Sequence, residues 1–146
     1  MLGNSMEYLC ITSKDNYYIC KSYNIWGVKD MEEFGNSRNE NIIKNVNPGD
    51  LLLFYLKTPV SKVVALYETK SRAFNDSNHI WVDGIYALRI KIELKETINK
   101  ISYSTLMNRQ LRILNDDILH DKQQLRREMI PLEEGSVEKL LKGFEE

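Results

Sequence analysis

Cysteine is scarce in this chain. Cys10 and Cys20 are the only two, and they form neither a CxxC spacing nor part of a second pair. That argues against a disulfide framework and against a cysteine-based zinc site; reduced thiols packed as small hydrophobes are expected. Long apolar runs are missing too. Leu51 to Leu56 and Val63 to Tyr67 fall far short of the roughly 20 residues a membrane-spanning helix requires. The N-terminal stretch lacks the charged-then-apolar layout of a secretory signal, so the expectation is a cytoplasmic protein away from the membrane. No excess charge of one sign exists either. Twenty basic residues face 21 acidic ones, a net charge of −1 that supplies no overall attraction to phosphate. Any nucleic-acid binding must then come from local basic patches or base contacts, and tight, sequence-blind binding to long DNA is disfavoured. HExxH, GxSxG, a phosphate-cradling glycine loop and a suggestive Cys–His spacing are all absent. His79 and His120 lack partner spacing and are expected on the surface. No catalytic residue, metal ligand or cofactor is assigned.

What is present fits one globular domain. At 146 residues, 42% hydrophobic and 28% charged, the chain is long enough for a core of its own and too short for two ordinary domains. There is no internal repeat, low-complexity tract or linker. Residues 1–146 are expected to form a single domain, with 101–146 as an integral helical extension.

Met6 to Thr12 alternates weakly and suits a first strand. Ser13 offers an N-cap oxygen for a helix over Lys14 to Tyr23, ending near Asn24. Lys29 to Asn41 is polar and reads as a loop, followed by a short helix over Asn41 to Val46. Asn47-Pro48-Gly49-Asp50 is a strong turn, since Pro presets φ and Gly accepts positive φ; Asp50 is expected to order it. Leu51 to Lys57 and Lys62 to Lys70 form a hairpin across Thr58-Pro59-Val60-Ser61. Arg72 to Asp83 is a long, irregular loop containing Ile80 and Trp81, and loops of that length are often functional. Tyr86 to Leu94 is the clearest strand, with Leu88, Ile90, Ile92 and Leu94 on one face and Arg89, Lys91 and Glu93 on the other. Helical spacing over Tyr103 to Leu114 is broken by Pro131, and Ser136 to Phe144 forms a closing amphipathic helix.

Two tryptophans in loop-flanking positions on a framework of short strands suit a clamp for a flat, partly apolar ligand, whose polar edge Asn or Asp side chains can read. Asn16, Asn24-Ile25-Trp26-Gly27-Val28, Pro48-Gly49-Asp50, Phe54-Tyr55, Glu68-Thr69-Lys70-Ser71, Asp76, Trp81 and Tyr86-Ala87-Leu88-Arg89-Ile90 occur in an order and spacing that resemble the EVE domain. This is a branch of the PUA-like nucleic-acid-binding folds related to the YTH domain. The resemblance implies an α+β fold: a distorted β-barrel of about five to six strands with flanking helices and a helical C-terminal tail. It also implies recognition of a modified base in DNA or RNA, in an aromatic pocket and without catalysis. Trp26 resembles one pocket wall and Trp81 the second. Thr12 and Asn16 fall where polar residues bond the base edge, Asp76 belongs to the motif set, and Asp121 lies where YTH relatives carry a base-reading acid.

Simpler roles stand beside these: a plug at the sheet edge for Trp26, a helix cap for Asn16 and an Asx-turn for Asp76. Two other functions compete. One is an ASCH-like amidohydrolase acting on an acylated pyrimidine with Lys14, Thr12 and Glu68. The other is a protein-interaction module binding a peptide in the same cleft, since an aromatic cleft also suits methylated lysine. Oligomeric state is not encoded in any of these features.

Overall fold

A computed structural model describes residues 5–29 and 38–142. In chain order the elements are β1 (Glu7–Thr12), α1 (Lys14–Tyr23), β2 (Ile25–Val28), α2 (Arg38–Lys44), β3 (Leu51–Leu56), β4 (Lys62–Thr69), β5 (Phe74–Asn75), β6 (Leu88–Ser102), α3 (Tyr103–Asn108), β7 (Met129–Leu132) and α4 (Ser136–Lys142). The strands make one curled, mixed half-barrel sheet in the order β2-β6-β4-β3-β1-β7, with the two-residue β5 also on β6. β1 runs parallel to β3, and the other pairings are antiparallel. No helix among the described residues is long and apolar enough to cross a membrane.

Local chemistry sets most of these boundaries. The Ser13 side chain accepts the Asn16 N–H and starts α1, and Asn24, at φ 55°, closes it in the left-handed conformation that Asn tolerates. The turn before β3 is organised by Asp50. Its carboxylate accepts the Met6 N–H at 3.0 Å and the Asn47 N–H at 2.8 Å, while Gly49 supplies φ 96°. β3, β4 and β6 are neighbours, as the alternating runs predict, and Leu88, Ile90 and Ile92 are buried.

Several elements differ from expectation. α2 begins three residues earlier and stops at Lys44, leaving Val46 buried in the following turn. Residues 30–37 of the expected polar loop, and Phe144 of the closing helix, lie outside the described residues. β6 continues past Leu94 to Ser102, bending through two register shifts against β4. On its first half the face assignment also changes: Arg89 is 1% exposed and Leu94 is 41% exposed. The helix expected over Tyr103 to Leu114 ends at Asn108. Gln110 has φ 54°, and Arg112 then bridges to Ile118. Pro131 marks a strand rather than a break: β7 pairs antiparallel with β1, placing Pro131 opposite Tyr8. As an edge strand β7 tolerates a residue with no N–H.

The central strands are buried on both faces. Along β1, Tyr8 and Cys10 enter one core while Leu9 and Ile11 enter the other; along β3, Leu52 and Phe54 part from Leu53 and Tyr55 in the same way. α1, α2 and the 76–86 loop cover the first face, and α3, the 109–132 segment and α4 cover the second. Glu7 ties the last helix to the sheet, its carboxylate accepting the N–H groups of Gly135 and Val137, each at 2.7 Å.

Candidate nucleobase-binding cleft

A cleft of about 80 Å³ opens on the aromatic face. Its lining includes Thr12 and Asn16, Trp26 and Gly27, Trp81, Asp83 and Tyr86, and Lys57 and Glu128. Five segments meet there: the β1–α1 junction, β2, the end of β3, the loop before β6 and the stretch just before β7. They hold aromatic walls against a polar floor.

Trp26, 3% exposed on β2, meets Phe54 edge-on at 5.3 Å between ring centroids. Its Nε1–H has no hydrogen-bond partner among the described residues. Trp81 is also 3% exposed, and its ring packs edge-on to Tyr86 at 5.1 Å. Cys20 is buried in the same aromatic core, and burial pushes its thiol up to about 12. The two walls meet at Gly27, where an added Cβ would lie 2.9 Å from Trp81 Cη2 and 3.2 Å from the Tyr86 carbonyl oxygen. Only a residue without a side chain permits that approach.

Trp81 is carried on a loop, and Arg89 fixes that loop to the sheet. The guanidinium lies 5.1 Å from the Trp81 ring centroid, a cation–π contact. It donates from Nε to the Tyr86 carbonyl at 2.8 Å, donates to the Asn78 carbonyl, and pairs with Asp76 at 3.1 Å. Asp76 also accepts the Asn78 N–H at 2.9 Å, an Asx-turn, so the structure places it behind the Trp81 wall and not among the cleft-lining residues.

Asn16 comes from the first turn of α1, on the same buried face as Cys20 one turn later. Its Nδ2 donates to Asp83 Oδ1 and Oδ2 at 3.1 and 3.2 Å and to the Tyr86 hydroxyl at 3.3 Å. Tyr86 in turn donates to Asp83 Oδ1 at 2.8 Å, closing a triangle. Burial tends to raise the Asp83 carboxyl, but the hydrogen bonds from Tyr86 and Asn16 and the Lys29 charge outweigh it and hold it below its ordinary value. The Tyr86 phenol is raised by burial and by that same carboxylate. Burial also raises the Glu128 carboxyl, against the opposing effects of the Lys29 backbone N–H, the charges of Lys29 and Lys57, and Asn39.

Of the residues marked from sequence, Thr12, Asn16, Trp26 and Trp81 converge on the cleft, and Asp76 and Asp121 do not. Asp121 is the N-cap of a 3-10 turn, Lys122–Arg126, in a capping box with Gln124. Glu68 of the amidohydrolase trio is held by Lys70 at 2.7 Å, outside the cleft lining. Sequence reasoning missed Lys57, Asp83, Tyr86 and Glu128. Tyr86 opens the clearest alternating run and Asp83-Gly84 is a turn signal, so those two were detectable; Glu128 was hidden by the unrecognised strand that follows it.

Lys57 also lines a neighbouring groove of about 270 Å³, formed with Tyr55, Thr58, Lys122, Leu125 and Arg126 among others. Three cations there create the local positive charge that the net charge of −1 does not supply.

The EVE domain model matches residues 8–143. A UPF0310 protein of Pyrococcus abyssi is 33% identical over 115 residues, covering 66% of this chain and 76% of that protein. A UPF0310 protein of Pyrococcus horikoshii is 27% identical over 114 residues, 69% of this chain and 73% of the relative. Among solved structures, the YTH domain of Zygosaccharomyces rouxii MRB1, in complex with N6-methyladenosine RNA, superposes with a TM-score of 0.68. It covers 99% of this chain and 91% of its own at 16% identity, a likeness of fold.

Proposed function

The chain belongs to the EVE domain family, and from that premise we propose that its aromatic cleft binds a modified nucleobase held in DNA or RNA, without chemistry on the base. The observation carrying this reading is the convergence of Trp26, Trp81 and Asn16, far apart in sequence, on one small cleft. Indole faces bind a planar ring by stacking, and the amide and carboxylate beside them read its edge. The cavity is smaller than the roughly 300 Å³ of a typical small-molecule site, which favours one inserted ring over a whole nucleotide or a peptide. The groove of Lys57, Lys122 and Arg126 beside it suits the flanking phosphates. The YTH neighbour, a protein of the same fold, is in complex with RNA carrying a modified adenosine.

Titration of short single-stranded and duplex oligonucleotides carrying defined modified bases, beside unmodified controls, tests the proposal. At least one modified strand is expected to bind more tightly than its control, with a modest salt slope because few phosphates are neutralised. Trp26→Ala is expected to cost about 1 to 3 kcal/mol of that affinity. Equal binding of every modified and unmodified strand, with Trp26→Ala without effect, would sink the reading.

A further inference from the structure

The Asn16 amide has two N–H hydrogens, and the structure occupies both. Asp83 takes one across its two oxygens, at 3.1 and 3.2 Å, and the Tyr86 hydroxyl oxygen takes the other at 3.3 Å. The Tyr86 hydrogen is itself given to Asp83 at 2.8 Å. This closed arrangement fixes which way the amide faces. Turned over, Asn16 would set its carbonyl oxygen against a carboxylate and against a phenol oxygen whose hydrogen is already committed, leaving oxygen facing oxygen with no proton between them. Within the triangle Asn16 therefore has no donor left. Its remaining polar atom is Oδ1, an acceptor. Asp83 lines the same cleft, and an ionised carboxylate is acceptor-only.

That polarity discriminates between bases. A free Asn amide complements adenine, accepting from its amino group while donating to the adjacent ring nitrogen. Cytosine offers the same amino-beside-ring-nitrogen pattern. Both would set a ring-nitrogen lone pair against a second acceptor here. Uracil and thymine carry one ring N–H flanked on both sides by carbonyl oxygens, which the Asp83 carboxylate repels. Guanine alone among the common bases presents two adjacent donors, its ring N–H and its amino group, matching two adjacent acceptors.

We infer that the cleft reads a guanine-type edge, and that Asp83 sets this choice both as one of the two acceptors and by holding the Asn16 amide with its carbonyl oxygen left for the ligand. The inference rests on the base-reader proposal above and narrows it. The modification must spare the ring N–H, because substitution there removes one of the two donors; the opposite side of the purine remains open to it.

The test uses the full chain and short single-stranded RNAs differing at one central base: guanine, 7-methylguanine, adenine or N6-methyladenine. Each guanine-type RNA is expected to bind about tenfold or more tightly than its adenine-type counterpart, the discrimination expected of a bidentate edge contact. Asp83→Ala releases the amide and is expected to reduce that ratio to within about threefold, a difference under one decade of affinity. Tyr86→Phe frees one Asn16 hydrogen while leaving the carboxylate in place, less its hydrogen bond from the phenol, and is expected to narrow the ratio in the same direction; it decides the matter if the Asp83 variant fails to fold. A purely structural role for Asp83 would weaken all four RNAs alike and leave the ratio unchanged, which overturns the inference. Adenine-type RNAs bound as tightly as guanine-type ones by the native chain, in a Trp26-dependent manner, overturn it while the base reader stands. Binding of all four that ignores Trp26→Ala removes the base reader and this inference together.

Discussion

The two faces of the sheet are built from different chemistry. One core gathers Tyr8, Trp26, Phe54, Tyr67, Trp81 and Tyr86; the other consists mainly of leucine, isoleucine and valine, with Tyr55 its one fully buried ring among the described residues. Aliphatic side chains need nothing but contact, so the second core can be held by close packing alone. Aromatic residues with polar tips impose more. Tyr17 and Tyr67 share a hydrogen bond at 3.2 Å, and the Tyr86 hydroxyl donates to Asp83 at 2.8 Å. Those obligations leave polar groups and rigid rings at the surface of the aromatic core, and the cleft forms there. On the proposed reading, stability and recognition are divided between faces of one sheet, one residue apart along each central strand.

Leu53 and Phe54 give the sharpest test of that division, being consecutive on β3 and directed to opposite cores. Leu53 is fully buried in the aliphatic core. Leu53→Ala is expected to cost about 2 to 5 kcal/mol of unfolding free energy, the range for a leucine cavity. Ligand affinity measured on the folded population should be unchanged. A reduced affinity, at a temperature where the variant is fully folded, would show that the two faces are coupled.

Phe54→Leu probes the other face with a smaller expected loss of stability. Phe54 lies 4.9 Å from Tyr67, 5.3 Å from Trp26 and 5.4 Å from Tyr17 between ring centroids. Leucine fills much of the volume but forfeits ring–ring contacts worth about 0.5 to 1.5 kcal/mol each. Denaturant unfolding should show a loss of about 1 to 3 kcal/mol, within the span of core shape changes. Oligonucleotide affinity should fall with it, because Trp26 loses the ring that braces it. Unaltered affinity would mean that Trp26 is held by its strand alone.

How much of this was legible in the sequence depended on the range of the determining contacts. Strands β3, β4 and the first half of β6 announce themselves by period-two alternation, and α1 by Ser13 and Asn24 at its ends. β6 beyond Leu94 was lost because its residues there are mostly exposed, with only Ile98 and Ile101 buried between Glu93 and Ser102. β7 was lost because Pro131 reads as a breaker unless its strand is known to lie at an edge. In the cleft, Trp26, Trp81 and Asn16 stood out by residue type. Asp83 and Tyr86 carried only a turn signal and the start of a strand, since their roles in the cleft arise from contacts 67 and 70 residues away in sequence. Asp76 and Asp121 carry the right chemistry for a base edge and use it elsewhere, Asp76 on Arg89 and its own turn and Asp121 on a helix cap.

The smallest expected effect concerns Glu128, where the cleft's polar floor meets the sheet. Burial raises this carboxyl above its ordinary value of 4.5, with the Lys29 backbone N–H, Lys29, Lys57 and Asn39 opposing the shift. A carboxyl raised in the folded state is bound to its proton more strongly there than in the unfolded chain, so the native state gains from protonation. The resulting penalty is absent below the ordinary carboxylate value and sets in as pH rises through that value toward the folded one. Glu128→Gln removes the titration while retaining an oxygen for the Asn39 amide, now 3.0 Å from Glu128 Oε2. Unfolding free energies of the native chain and this variant, measured at pH 4 and pH 7, should therefore diverge in the variant's favour on going to the higher pH. Asp83, lowered instead of raised, contributes with the opposite sign and only below its ordinary value of 3.8, so it stays out of this window. A variant whose relative stability falls between pH 4 and pH 7 would show that the lysines outweigh burial, and that the floor of the aromatic cleft is an ion-paired surface in the folded protein.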